Sequence, residues 1–521
     1  MVEAKRPGMM PMSLGEVAQA TGGHLLAEPE ASGSASGSSL QVTSVATDTG
    51  QVQAGTLFVA IAGERVDGHD FLTVAAEAGA CAALVAHPVE GVSLPQIVVD
   101  DTVAALGRLA AHNLERRREL STPFTVIGIT GSVGKTTTKD LLAALLRELG
   151  PTVAPVGSFN NEIGLPLTAL GVGESTRYLI AEMGASRVGD IAYLTSIVPL
   201  DIAIELKVGV AHLGVFGSVE RIAQAKSELV QGLRPQGVSV LNADDERVAA
   251  MAKLAPGRVL WFGLGQVQGA VKQDELDMGA ANICTDSLDH PHFTLQARGE
   301  QPLEMELGLS GIHNVINALA AASVAHELGL PTERIGQVLA QQGHISPHRM
   351  ALSQVEREGS SFTLIDDSFN ANPDSMRAGL HALSTWGADE QTQPASKPYR
   401  IAVLGGMLEL GEQTLDMHRT IGEYCARLGL DALIAVGGSG NDLSAMAGAM
   451  VEGASAYSAE QEQAQSTLVV YKAVDTQEAD QIVIELTGQH PGSVVLLKGS
   501  HSSGLSDLAE RWQGERLGVA R

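Results

Sequence analysis

The chain is poor in aromatic residues, 3% of its 521 positions, and holds only three cysteines. The first scarcity leaves its cores to alanine, valine and leucine. The second, with Cys81, Cys284 and Cys425 far apart, excludes a disulfide framework and any Cys/His zinc spacing. It reads as a reduced, cytoplasmic pattern in which all three thiols are buried small hydrophobes. Positive charge is scarce too: 34 Lys and Arg against 60 Asp and Glu leave a net charge of −26. Such a balance provides no basic face for nucleic acid or an anionic membrane. An anionic ligand stays open, because a few backbone amides and one lysine reverse the potential locally. No apolar run approaches the roughly 20 residues needed to span a bilayer. The start, "MVEAKRPGMMPMSL", has no sustained apolar stretch, so no signal peptide is expected.

Glycine is plentiful, with 58 residues, and 44% of the chain is apolar. At this length two to three domains are expected, and many short βα turns suit an α/β class. Residues 1–121 open with a short helix at "LGEVAQATGGHL" and a Ser/Gly insertion at 31–39, read as a flexible surface segment. "TLFVAIAG", "CAALVAH" and "PQIVVD" follow as short buried strands, with a helix around "HDFLTVAAEAGA". The run "RRR" at 116–118 reads as a solvated helix end, and Pro123 punctuates the first boundary. From "FTVIGIT" to residue 346, strands at "RYLIAEM", "LDIAIEL" and "GVSVLNAD" alternate with helices. That alternation predicts a doubly wound, mostly parallel sheet. Polar alternation near 280–310 predicts an antiparallel appendage, and "NVINALAAASVAHELGL" a helix. A third α/β pattern fills 347–521, through "FTLIDDSFNANP", "RIAVLGGML", "DALIAVGG" and "SVVLLKGS".

"GITGSVGKTTTKD" lies between a buried strand and an amphipathic helix. At such a turn free backbone amides and the helix dipole favour an anion. Gly131 and Gly134 permit close backbone approach, Lys135 can reach β- and γ-phosphates, and the Thr136 hydroxyl can bind Mg²⁺. The common loop pattern places glycine five residues before Gly134, where this chain has Ile129, so a purely structural turn is the competing reading. Glu182 ends the strand "YLIAEM", a suitable place for a metal-binding carboxylate, although a capping or salt-bridged Glu reads equally well. His212, on the loop after "LDIAIEL", is readable as a ligand or as a packing residue. Lys226, in "VERIAQAKSELV", reads alone as a surface lysine.

The segments "TGSVGKTTTK", "NNEIGLPLTAL", "IAEMGAS", "VAHLGVFGS", "AQAKSELV", "LNADD", "GIHNVINALAA" and "DDSFNANPDSM" occur in that order. Together they resemble the Mur ligase family, from about residue 40 to the end. "NNEIGLP" and "DDSFNANPDSM" resemble most the member that adds D-alanyl-D-alanine to UDP-N-acetylmuramoyl-tripeptide. The resemblance implies a small UDP-binding domain, a central ATP-binding domain and a C-terminal Rossmann-like domain. It also implies a cytoplasmic, monomeric enzyme of peptidoglycan synthesis, hence of cell shape and division, that works through an acyl phosphate. By resemblance, Thr130, Gly131, Ser132, Val133, Gly134, Lys135, Thr136 and Thr137 hold ATP, with Asn314, Asn317, Arg349 and Asp367. Thr136, Glu182, His212 and Lys226 are implied at two Mg²⁺ positions, Lys226 as a carbamate formed with CO₂. Lys135, His212 and Lys226 form the implied catalytic set. Asp48, Thr49, Asn160, Asn161, Asn370 and Asn372 are implied to contact substrate.

Four positions depart from the family pattern: Gly50 and His501 stand where arginine is expected, Phe369 for tyrosine, and Gly406 for an acidic residue. Three rivals stand beside the D-alanyl-D-alanine ligase, and the departures motivate the last of them. One is a Mur ligase adding a single amino acid. Another is an enzyme like folylpolyglutamate synthetase, whose loop reads "GKGS" where this chain reads "GKTT". The third is a nucleotide-binding regulator without ligase activity.

Overall fold

In a computed structural model the chain forms an α/β protein built on three mixed, largely parallel sheets and a two-stranded ribbon. The structure describes residues 8–26, 40–63, 66–210, 213–265, 271–286, 289–343, 346–357, 359–386, 397–438, 440–460 and 468–514. The expected insertion at 31–39 lies outside the described residues.

The first sheet has five strands in the order His24–Leu26, Gln96–Val98, Ala82–Val85, Thr56–Val59, Ser44–Ala46. Only the pairing of His24–Leu26 is antiparallel. The middle sheet has nine strands, and Thr125–Thr130 lies inside it between Leu200–Glu205 and Tyr178–Glu182. Its strands read as unbroken apolar runs because helices cover both faces. On one face the helix Lys135–Arg147 buries Leu141, Leu142, Leu145 and Leu146. It packs against His313–Glu327, whose alanines permit close helix approach and account for a core with few aromatics. The antiparallel strands Met278–Thr285, Pro291–Ala297 and Leu303–Glu306 extend this same sheet rather than forming a separate appendage. The third sheet carries the four strands expected from sequence. It adds two that sequence reading passed over, the antiparallel Ala351–Arg357 and the parallel Val469–Ala473. Among the described residues no helix is long and apolar enough to cross a membrane.

The three units are joined differently. One hydrophobic cluster runs from Met12, Leu57 and Leu109 of the first unit into Val126, Leu179 and Leu200 of the middle one. The C-terminal clusters draw only on residues from 350 onward.

The arginine run corrects its sequence reading. Arg117 is 1% exposed, and its guanidinium donates to the carbonyls of Thr176, Pro123 and Thr122. Arg118 pairs with Asp201 of the middle unit, and Arg116 donates to the Pro11 carbonyl. A helix end that looked solvated therefore ties two units together. The cysteines are corrected as well: Cys425 is buried, Cys81 half-buried and Cys284 exposed, because Cys284 sits on the sheet extension away from the core. Replacing Arg117 with methionine keeps the aliphatic bulk but strands buried carbonyls. Arg117→Met should cost about 2–4 kcal/mol in denaturant unfolding; a loss under about 1 kcal/mol would contradict this role.

Candidate functional site

The phosphate-loop strand stands where the middle sheet's connections diverge, and a crevice opens there at the carboxyl ends of the strands. Gly134 takes φ +85°, and a Cβ there would lie 2.2 Å from Asn317 Oδ1, so the turn requires glycine twice over. Lys135 Nζ donates to the Gly131 carbonyl at 2.8 Å, folding the lysine back over the loop. Burial lowers the Lys135 pKa, the nearby Glu182 and Glu205 carboxylates oppose that, and Arg349 adds to it.

The two neighbouring strands both end in glutamate. In the sheet register Glu182 is level with Ile129, while Glu205 is level with Thr130. The one-residue offset turns the two side chains to opposite faces of the sheet. Glu182 accepts from the Thr136 hydroxyl at 3.0 Å and from Asn160 Nδ2 at 2.9 Å. Glu205 faces the helix Val219–Gln231, which carries Lys226. Glu205 is fully buried, and neither carboxylate oxygen has a partner among the described residues. Burial pushes its pKa up to about 8, against the pull of Lys226. Burial likewise drives the Lys226 amine down to about 7, helped by the charge on Lys135. A buried amine near neutrality is not the surface lysine that its helix alone suggests.

The C-terminal unit completes the site. Arg349 lies between His348 and Met350, both at positive φ, 60° and 50°. Left-handed backbone at two non-glycine residues is costly and marks a loop held in place by its surroundings. Arg349 Nη2 donates to Thr136 Oγ1 at 3.3 Å, and its guanidinium stacks over the Phe369 ring, 4.5 Å from the centroid. The ring kept at Phe369 thus has a use that needs no hydroxyl. The Arg349 Nε is buried with no partner among the described residues. Asp367 forms an ion pair with Lys498, which ends the next strand of the third sheet.

Apart from Gly131, Glu205 and His348, these groups line one cavity of about 1390 Å³, more than a single small ligand fills. Ser132 to Thr137 form its floor, with Asn160, Asn161, Glu182 and Lys226 at one side. Asn314 and Asn317, joined by a 2.9 Å hydrogen bond, form another wall, and Arg349, Asp367, Asn370 and Asn372 a third. Some of these side chains also serve the backbone: Asn161 accepts from the Gly164 amide, and Asn372 caps the helix Pro373–Thr385.

Other expected residues are placed elsewhere. Thr130 is buried on the Glu205 face, its hydroxyl without a partner among the described residues, so its side chain does not reach the cavity. Gly131 contributes its carbonyl to Lys135 rather than a lining surface. Asp48 and Thr49 belong to the first sheet's loop, where Asp48 caps the turn Thr49–Gln51, and neither lines the cavity. Gly50, Gly406 and His501 are also absent from its walls. His212 lies outside the described residues. Sequence reading missed Glu205 and Lys498. Both carry the signal used for Glu182, a charged residue ending an apolar strand.

The fold and this cavity define a phosphate-loop α/β protein whose cavity is lined by two α/β units. Three family models match: "Mur ligase family, catalytic domain" over residues 41–113, "Mur ligase middle domain" over 129–325, and "Mur ligase, glutamate ligase domain" over 348–501. A UDP-N-acetylmuramoyl-tripeptide–D-alanyl-D-alanine ligase of Mycobacterium bovis is 43% identical over 487 residues, 89% of this chain and 90% of that one. The Escherichia coli ligase of the same name is 34% identical, over 80% of this chain and 86% of its own. A crystal structure of MurF from Acinetobacter baumannii superposes with a TM-score of 0.77 at 30% identity, covering 97% of this chain and 99% of that one. MurF from Thermotoga maritima in complex with ADP gives 0.70 at 27% identity, covering 92% and 99%. The chain belongs to the Mur ligase family.

The raised pKa of Glu205 has a consequence for stability. Between about pH 4.5 and 8 the folded protein holds a proton that the unfolded chain releases, so this group's contribution falls as pH rises through that window. Glu205→Gln should remove the trend. Its melting temperature should gain on the wild type from pH 5 to pH 8. Parallel pH profiles for the two proteins would contradict the assignment.

Proposed function

We propose that this chain is the ATP-dependent ligase that joins D-alanyl-D-alanine to UDP-N-acetylmuramoyl-tripeptide in peptidoglycan precursor synthesis. The observation that carries the reading is the reach of Arg349, with its unpartnered Nε, onto the phosphate loop at Thr136. A guanidinium so placed suits a nucleotide phosphate bound between two units. The choice of substrates rests on relatives of that activity matching nine-tenths of the chain.

A carboxylate is a poor electrophile with a very poor leaving group. In this reading the γ-phosphoryl group of ATP passes to the tripeptide's terminal carboxylate, giving an acyl phosphate and ADP. The amine of D-alanyl-D-alanine then attacks the acyl carbon and loses a proton. The tetrahedral intermediate expels phosphate and leaves the amide. Lys135, the loop amides and Arg349 oppose the charge gathering on the transferred group. Asp367 suits the ribose hydroxyls, and Asn314 and Asn317 the rest of the nucleotide. Asn160, Asn161, Asn370 and Asn372 face the peptide substrates, and closure of the C-terminal unit excludes water from the acyl phosphate.

Mg²⁺ is a hard cation that favours oxygen ligands, and the Thr136 hydroxyl and Glu182 carboxylate, 3.0 Å apart, fit it. Thr136 and Glu182 would hold one ion, and His212 and Lys226 the second. When bound, the metal neutralises phosphoryl charge. Lys226 fits its part as a carbamate, because an amine brought down to about 7 holds a substantial neutral fraction near neutral pH and is open to CO₂. The units are assigned as 1–121 for the UDP moiety, with Asp48 and Thr49 contacting it, 122–346 for ATP and catalysis, and 347–521 for ATP and the dipeptide. The enzyme is a cytoplasmic monomer in this reading.

Phosphate release from ATP should require both UDP-N-acetylmuramoyl-tripeptide and D-alanyl-D-alanine. Release with a single amino acid instead would move the step within the family, and ATP binding without turnover would make the chain a regulator. Lys226→Ala should lower turnover by at least about 100-fold, with partial recovery on adding a short carboxylic acid. Full activity in that variant would remove the carbamate.

A further inference from the structure

Two glycines about 200 positions apart meet backbone to backbone where the C-terminal unit closes on the middle one. Gly214, in the short helix Leu213–Phe216, donates its N–H to the Glu409 carbonyl at 3.1 Å. A Cβ on Gly214 would lie 2.1 Å from Gly411 N and 2.4 Å from Gly411 Cα. A Cβ on Gly411 would lie 2.6 Å from Gly214 Cα. Neither separation is tolerable against backbone atoms, which cannot swing aside as a side chain can.

The two glycines are required for different reasons. Gly411 has φ +67°, so its own turn favours glycine. Gly214 is helical, and the three atoms nearest its missing Cβ all belong to residues 410 and 411. Within the middle unit alanine would be the better helix former. Only the partner unit demands glycine there, and a residue that breaks its local rule for a distant contact points to function.

The surroundings fit that role. Gly209, five residues earlier, also lies close to the C-terminal unit, its Cβ position 2.6 Å from Asp374 Oδ2. Val215 lines the cavity, and the chain runs on through Gly217 into the helix that bears Lys226. On the opposite side the loop is braced from within its own unit: Leu410 is buried in the C-terminal core, and the Met407 amide donates to His418 Nε2 at 2.8 Å.

We propose that the Gly214–Gly411 contact is the stop that sets the closed position of the C-terminal unit. The two glycines are positioning residues, which touch no substrate and act by bringing Arg349 and the Lys226 helix into register. The inference rests on the ligase reading above for its effect on turnover, but not for its effect on shape.

The test is Gly214→Ala in the full chain. Its melting temperature should match or exceed that of the wild type, while kcat falls about 100-fold, the scale expected for a site held open by an ångström or more. In small-angle scattering the wild type should compact on addition of a non-hydrolysable ATP analogue with UDP-N-acetylmuramoyl-tripeptide, and the variant should not. Wild-type turnover or wild-type compaction in Gly214→Ala would overturn the stop. A fall in melting temperature alongside lost activity would assign the glycine to folding and also overturn it. Should the wild type fail to ligate D-alanyl-D-alanine, the ligase reading falls and the scattering comparison still decides the stop.

Discussion

The hydroxyl of Thr136 is held from two sides: it donates to Glu182 of its own unit and accepts from Arg349 of the next. The site is arranged around that pair of hydrogen bonds. Glu182 reaches Thr136 because its strand lies beside the phosphate-loop strand and ends level with it. Arg349 reaches it because the C-terminal unit meets the middle one at the crevice, through a loop with left-handed backbone to either side of the arginine. A hydroxyl shared in this way joins the phosphate loop, a strand-end carboxylate and the C-terminal unit at one atom.

The two junctions of the chain suit two mechanical roles. The first and middle units share one apolar core, reinforced by the buried Arg117, and such a junction resists shear. The middle and C-terminal units meet through polar contacts. Arg349 Nη2 donates to Thr136 Oγ1 at 3.3 Å, and the Gly214 amide donates to the Glu409 carbonyl at 3.1 Å. Hydrogen bonds of this kind exchange with water at small net cost, so of the two junctions the one without a shared core is the easier to open. The proposed acyl phosphate would need a site that admits three substrates and then excludes water.

Much of this was legible in the sequence. The phosphate loop, the alternation around it and the antiparallel extension follow from turn chemistry and apolar periodicity. Glu182 is legible because its strand ends in a carboxylate at the mouth of the sheet. Glu205 carries the same signature, but its facing Lys226 depends on a one-residue register offset, and register is a product of pairing rather than of pattern. Arg117 reads as solvated because three consecutive arginines end a helix, and only the packing of two units buries the middle one. Gly214 reads as a poor helix residue, since the contact that excludes a side chain lies 200 residues away. The roles of Asn314, Asn317, Arg349 and Asp367 came from resemblance alone. Their convergence on one cavity is a property of the fold.

In the proposed reaction ATP activates the carboxylate of the muramyl tripeptide. That activation is tested most directly by labelling both oxygens of that terminal carboxylate with ¹⁸O and analysing the phosphate released during ligation by mass spectrometry. Transfer to carboxylate oxygen followed by collapse to the amide predicts one ¹⁸O in each phosphate and one retained in the new amide. Phosphate without label would mean that the γ-phosphoryl group went to water or to another acceptor, and would contradict the account.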